Sequence, residues 1–181
     1  VSPLNSDERE LINRTKRALE SVENMLNELV DISRLESGDI KPTYTEFKLN
    51  NLFQEIHSEF SVMANKKGLS FSYVPTQTVI MGDKSLLSHV IRNLVSNAIR
   101  YTRQGKILLG CRRQSNGISI RVYDTGIGIP KEIQSTLFDE FVTGHRNEIF
   151  EAPSFGLGLS IVQRLSDIQG YTLDFASIPS K

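Results

Sequence analysis

The sequence predicts an α+β protein: a two-layer α/β sandwich, with a mixed sheet of about five strands under three main helices, preceded by a long bundle helix. Three observations predict it. Residues 6–38 carry apolar side chains at alternating steps of four and three, the period of a helix that buries one face. Beyond residue 41 the pattern changes to short β-type runs separated by amphipathic stretches. Those strands and helices do not alternate strictly, so the sheet is mixed and the helices share one layer. The chain has 181 residues, enough for one well-cored domain plus an appendage and short for two full domains.

Asn5 or Ser6 caps the first helix, and Asp7 and Glu8 place negative charge in its first turn, where the helix dipole favours it. Leu11, Thr15, Ala18, Val22, Met25, Leu29 and Ile32 form its apolar seam. Ile12, Leu19 and Leu26 widen that seam into the broad face of a bundle helix. Gly38 is the stop signal. No partner helix follows, so the face needs another copy, sequence outside the chain, or the domain that comes next. Residues 43–49 read as a strand, and Asn50 or Asn51 starts a helix bearing Leu52, Phe53, Ile56, Phe60 and Met63. Residues 69–74 and 79–81 are short strands around a turn at Pro75. Asp83 caps a helix that runs to about Arg100.

Residues 106–113 and 118–123 form a strand pair joined at Ser115, Asn116 and Gly117, a hairpin turn. A short helix spans 131–137 after Pro130. Residues 139–155 mix Gly, Pro, His and charge without a period and read as a loop. A helix over 157–169 and a strand over 171–176 complete the order. There is no internal repeat and no low-complexity tract.

Lys plus Arg and Asp plus Glu each total 21, so the formal net charge is zero. That balance excludes the basic excess expected of a protein for nucleic acid or an anionic membrane. Phosphate binding must then come from local geometry. Cys111 is the single cysteine and cannot form an internal disulfide, which fits a reducing compartment; it reads as a small buried residue in an apolar strand. No stretch approaches the ~20 apolar residues that span a bilayer. Val1, Ser2, Pro3 and Leu4 open the chain without the charged and apolar regions of a signal peptide. The expectation is a cytoplasmic piece without direct membrane contact, any inner-membrane anchor of a longer protein lying upstream.

Three groups of residues carry chemistry. On the helix after Asp83, Asn93, Asn97 and Arg100 fall on one stripe at about 100° per residue, while Leu87, Ile91, Leu94, Val95 and Ala98 lie about a third of a turn away. An amide oxygen is a hard ligand suited to Mg²⁺, and a guanidinium suits phosphate. Taken alone, the stripe is equally the solvent-facing flank of an ordinary amphipathic helix. Next, Asp124-Thr-Gly126-Ile-Gly128-Ile-Pro130 follows a strand directly. Its glycines let a ligand approach the backbone, and Asp124 can accept a hydrogen bond from an exocyclic amine. A plain strand-to-helix turn closed by Pro130 reads the same way. Finally, Gly156-Leu157-Gly158 opens a helix, where free backbone N–H groups bind phosphate, although glycines there also serve simple turns.

In this order and spacing the three groups resemble the asparagine box and the two glycine boxes of the histidine-kinase-type ATPase fold, shared with Hsp90-, gyrase- and MutL-type ATPases. The stretch from Phe138 to Phe141 resembles the phenylalanine box of sensor histidine kinases, and that from Leu29 to Gly38 the end of the second helix of their dimerisation domain. The resemblance covers nearly the whole chain. It divides the chain into 1–40, a partial dimerisation and histidine phosphotransfer domain represented by its second helix, and 41–181, the ATP-binding catalytic domain.

The resemblance implies ATP and Mg²⁺ as ligands. Asn97 would hold Mg²⁺, and Asn93 and Arg100 would act catalytically near the phosphates. Tyr101 would sit beside the adenine. Asp124 would read the adenine amino group, and Gly126 and Gly128 would line the base pocket. Gly156, Leu157 and Gly158 would form the phosphate-side hinge of a lid over 139–155. The implied partners are a second copy, through the bundle helix of the full-length protein, and the receiver domain of a response regulator.

One position separates the branches. Hydrolysing relatives carry a glutamate four residues before the metal-binding asparagine, where Asn93 stands here. An amide is no general base at neutral pH, so ATP would be held for transfer rather than hydrolysed. The phosphate-accepting histidine would lie on a first bundle helix absent from this chain, and His57, His89 and His145 lack the context of an acceptor. Arg100 stands where the family more often has lysine. Ser154 stands where the second glycine box often begins with a further glycine. The chain ends where the family adds another strand, so one sheet edge is expected to be incomplete. Two rivals remain: a conformational ATPase, opposed by Asn93, and a degenerate module that keeps the fold and controls a partner without ATP, supported only by Ser154 and the lid.

Overall fold

A computed structural model describes residues 5–38, 40–115, 117–142 and 156–179. Helix α1 (Ser6–Glu36) begins at a reciprocal cap. The Asn5 side chain accepts from Glu8 N at 2.8 Å, and the Glu8 carboxylate accepts from Asn5 N at 2.9 Å. Asn5 is therefore the cap, chosen over Ser6. Next come β1 (Thr45–Lys48), α2 (Leu49–Lys66), β2 (Ser70–Tyr73), β3 (Val79–Gly82) and α3 (Lys84–Tyr101). The hairpin of β4 (Lys106–Gln114) and β5 (Gly117–Asp124) follows, then a 3₁₀ turn (Lys131–Thr136) and α4 (Gly158–Gln169).

The protein is α+β with a mixed arrangement of strands, but the strands divide into two groups. β1 and β3 pair antiparallel, with Thr45 opposite Gly82. In the other group β2 runs parallel to β4, which pairs antiparallel with β5. The strand expected over 171–176 does not form. Its apolar residues act as anchors instead. Tyr171 packs against the sheet-side core, Leu173 against the helical core, and Phe175 meets Phe138 edge-on at 6.0 Å between ring centroids. Two smaller expectations also change. Asn50 does not cap α2; Leu49 is already helical and fully buried, and the Asn50 side chain accepts from Thr76 N at 3.2 Å. The segment after Pro130 is 3₁₀ rather than α-helical.

Two apolar clusters hold the layers together. The larger joins Leu52, Phe53 and Ile56 of α2 to Leu87, Ile91 and Val95 of α3 and to Ile107 and Leu109 of β4. The smaller joins Ile161, Val162 and Leu165 of α4 to Val90 of α3 and to Ile32 and Leu35 at the end of α1. Each fully buried side chain of this size contributes roughly 1.5–3 kcal/mol. Helix α3 serves both clusters, so it is fixed from two sides. Leu11, Ile12, Leu19, Val22 and Leu26, toward the start of α1, remain exposed.

Candidate functional site

The ends of α3 are pinned by groups distant in sequence. At its start Asp83 Oδ1 accepts from Leu86 N at 3.0 Å, and Asp83 Oδ2 accepts from Thr43 N at 2.8 Å. Partial burial alone would raise the Asp83 pKa. The backbone N–H groups of Leu86, Thr43 and Ser85 outweigh it and hold the carboxyl below its ordinary value. At the other end Lys67 Nζ donates to Ile99 O at 3.0 Å and to Arg100 O at 3.1 Å, placing a cation at the negative end of the helix dipole. With both ends held and two flanks buried, the remaining flank presents Asn93, Asn97 and Arg100, all half-buried. Asn93 Nδ2 donates to His89 O at 3.2 Å, which ties that amide to its own helix.

β5 delivers Asp124 to the last turn of α3. Asp124 Oδ1 accepts from Gly126 N at 2.8 Å, and Ile127 N donates to Tyr101 O at 3.2 Å. The turn is too close to α3 for any side chain at Gly126, where a Cβ would lie 2.6 Å from Tyr101 O. Tyr101, Asp124 and Gly126 therefore form one group, with Asp124 exposed. Gly128 lies beyond it, against the backbone of Ile178.

α4 delivers the other glycines. Its first position, Gly158, faces the amide stripe: a Cβ there would lie 3.0 Å from Asn93 Oδ1 and 3.8 Å from Asn97 Nδ2. Leu157 precedes it without a side-chain cap, so the first N–H groups of α4 have no side-chain acceptor from that position. The Leu157 side chain is fully buried in the helical core, which leaves only its backbone to meet a ligand. Gly156 O accepts from Phe141 N at 3.1 Å, which brings the start of α4 against the end of the preceding segment. Residues 143–155, with Ser154 and His145, lie outside the described part. Residues 138–141 rest on the opposite flank of α4, where Glu140 pairs with Arg164 beside a depression of about 320 Å³. That depression also meets Phe138, Asp139, Ser160 and Gln163 but none of the expected site residues.

The structure thus makes two groups from the expected residues: Asn93, Asn97 and Gly158, and Tyr101, Asp124 and Gly126. Sequence reasoning missed Lys67 and Thr102. Thr102 follows Tyr101 directly and is fully buried, and Lys67 stands just past α2 with no spacing cue to α3. His57 is occupied structurally, its Nε2 lying 3.1 Å from Phe71 O between the rings of Phe71 and Tyr73.

Residues 82–181, which contain both groups, match the family model described as histidine kinase-, DNA gyrase B- and HSP90-like ATPase. The chain belongs to that family. Within this ATPase family its relatives are of the sensor histidine kinase type. The autoinducer 2 sensor kinase/phosphatase LuxQ of Vibrio cholerae is 30% identical over 183 residues, covering 97% of the chain and 21% of LuxQ. The signal transduction histidine-protein kinase BarA of Escherichia coli is 32% identical over 188 residues, covering 98% of the chain and 20% of BarA. The chain therefore spans about a fifth of the length of these two relatives. The histidine kinase AdeS of Acinetobacter baumannii shares the fold with a TM-score of 0.76, at 22% identity, over 99% of the chain and 82% of AdeS. The α+β reading of the ATPase fold therefore stands. No helix among the described residues is long and apolar enough to cross a membrane.

Proposed function

We propose that residues 41–181 bind Mg·ATP along α3, base toward Tyr101 and Asp124 and phosphates toward Asn93, Asn97 and the start of α4. One observation carries the reading: a single rigid helix joins both groups. Asn93 and Tyr101 are eight residues apart, about 12 Å along the axis. A ligand with a base at one end and phosphates at the other fits that separation. Among the described residues no three His, Cys, Asp or Glu side chains gather into a metal site. A magnesium ion held by one amide oxygen and the substrate's phosphates fits such a surface. Asn97 would supply that oxygen, and the bound ion would neutralise phosphate charge. Arg100 and the first N–H groups of α4 orient the phosphates. Asn93, an amide tied to His89 O, activates no water.

In the whole protein the γ-phosphate passes to a histidine outside this chain and then to an aspartate of a response regulator's receiver domain. Residues 1–40 are the second helix of the dimerisation domain, and their exposed face pairs two copies. The protein works on the cytoplasmic side, any anchor lying in other segments. The likeness to kinases named for signal transduction supports this reading, as does the exposed apolar face of α1.

Calorimetry of Mg·ATP with the parent and Asn97→Asp tests it. The parent should bind in the micromolar range, and the variant, which keeps size but adds negative charge facing the phosphates, about tenfold or more weakly. Absence of binding by a folded parent would favour the regulatory module that works without ATP. With radiolabelled ATP the isolated chain should acquire no phosphate on His57, His89 or His145.

A further inference from the structure

Thr102 has no relative solvent exposure, and among the described residues its Oγ1 is one of three buried side-chain polar atoms without a hydrogen-bond partner. The other two, Ser166 Oγ and Gln169 Oε1, lie at the end of α4 remote from Gly158. Thr102 Oγ1 instead faces the proposed base site. It lies 3.1 Å from the position a Cβ on Gly126 would occupy, and Asp124 Oδ1 lies 2.7 Å from the same position. Gly126 has no side chain to stand between those two oxygens. The backbone around them is already committed, Gly126 N to Asp124 Oδ1, Ile127 N to Tyr101 O, and Thr102 N to Ala98 O. Only the hydroxyl is left over. Burying it unpaired is unfavourable, and a valine of the same shape would avoid the cost.

We propose that Thr102 is a positioning residue for base recognition. When adenine engages Asp124, the Thr102 hydroxyl donates to Asp124 Oδ1, which already accepts from Gly126 N. A carboxylate oxygen has lone pairs for both donors. Held twice on one oxygen, the carboxylate turns the other toward the exocyclic amine. The inference rests on the reading of Asp124 as the base-reading carboxylate.

The test compares parent, Thr102→Val and Thr102→Ser, each titrated with Mg·ATP and with Mg·ITP, whose base has a carbonyl where adenine has its amine. Melting of the unliganded proteins is followed in parallel. Thr102→Val should melt at or above the parent, bind ATP about tenfold more weakly, and lose most of the preference for ATP over ITP. Thr102→Ser keeps the hydroxyl and should restore both affinity and preference. If Thr102→Val does not fold, Thr102→Ala is read for the same loss of preference. Unchanged affinity and preference overturn the proposal. So does an equal loss for both nucleotides, which marks a merely structural role. A parent that binds ATP without preferring it, or an Asp124→Ala variant that retains the preference, overturns the reading of Asp124 and the proposal with it.

Discussion

Asp83 joins two parts of the fold through one carboxylate, capping α3 with one oxygen and holding Thr43 N with the other. Asp83→Ala should cost about 1–2 kcal/mol in a urea melt at neutral pH. Its folded pKa is lowered, so its contribution is complete above the unfolded value near 4 and disappears as pH falls through the lower native value. Stability measured from pH 6 down to pH 2 should therefore fall less steeply for Asp83→Asn than for the parent. This residue was legible as a cap because Asp followed by an amphipathic run is a local signal. Its bond to Thr43 was not, since no local pattern relates positions 40 residues apart. Asn93, Asn97 and Arg100 were legible as a stripe for the same local reason. Thr102 was invisible: its meaning lies in burial beside Gly126, and nothing next to it in sequence reveals burial.

α3 is the element that organises the candidate site, and its position depends on residues it does not contain. Lys67 neutralises the carbonyl end from which Arg100 and Tyr101 project. Lys67→Met should lower stability by about 0.5–2 kcal/mol, read as a lower Tm, whereas Lys67→Arg should recover part of the loss. The same variant should weaken Mg·ATP binding, because the last turn of α3 frays without its cation. The bounds of α3 followed from its cap and period. The start of α2 did not, because Leu49 enters the helix through burial while the Asn50 amide is drawn to Thr76. Tyr171, Leu173 and Phe175 depart the other way, where a strand was expected but the side chains reach three different neighbours.

Across the whole molecule, the described side chains of α1 that enter a core lie at its C-terminal end. Ile32 and Leu35 enter the core that α3 and α4 build, whereas Leu11 and Leu19 are 65% and 69% exposed. Ile32→Ala should therefore cost about 2–4 kcal/mol, while Leu19→Ala should stay within about 0.5 kcal/mol in a dilute, monomeric sample. A larger cost for Leu19→Ala that grows with protein concentration would mark a second copy on that face, as proposed for the full-length protein. The helical core thus ties α1 to α4, the helix that begins at Gly158 and faces the amide stripe.

The chain by itself determined the order of the principal elements, the α+β class and the three chemical groups. Each of these rests on spacing within a dozen residues, where helical or strand period and the chemistry of Asn, Asp and Gly are decisive. Tertiary structure alone decided the division of the strands into groups of two and three, the anchoring of residues 171–176, and the meeting of Gly158 with the amide stripe. It also decided which polar groups find partners, leaving the Thr102 hydroxyl without one among the described residues. These depend on burial and on contacts between distant segments, which no single segment encodes.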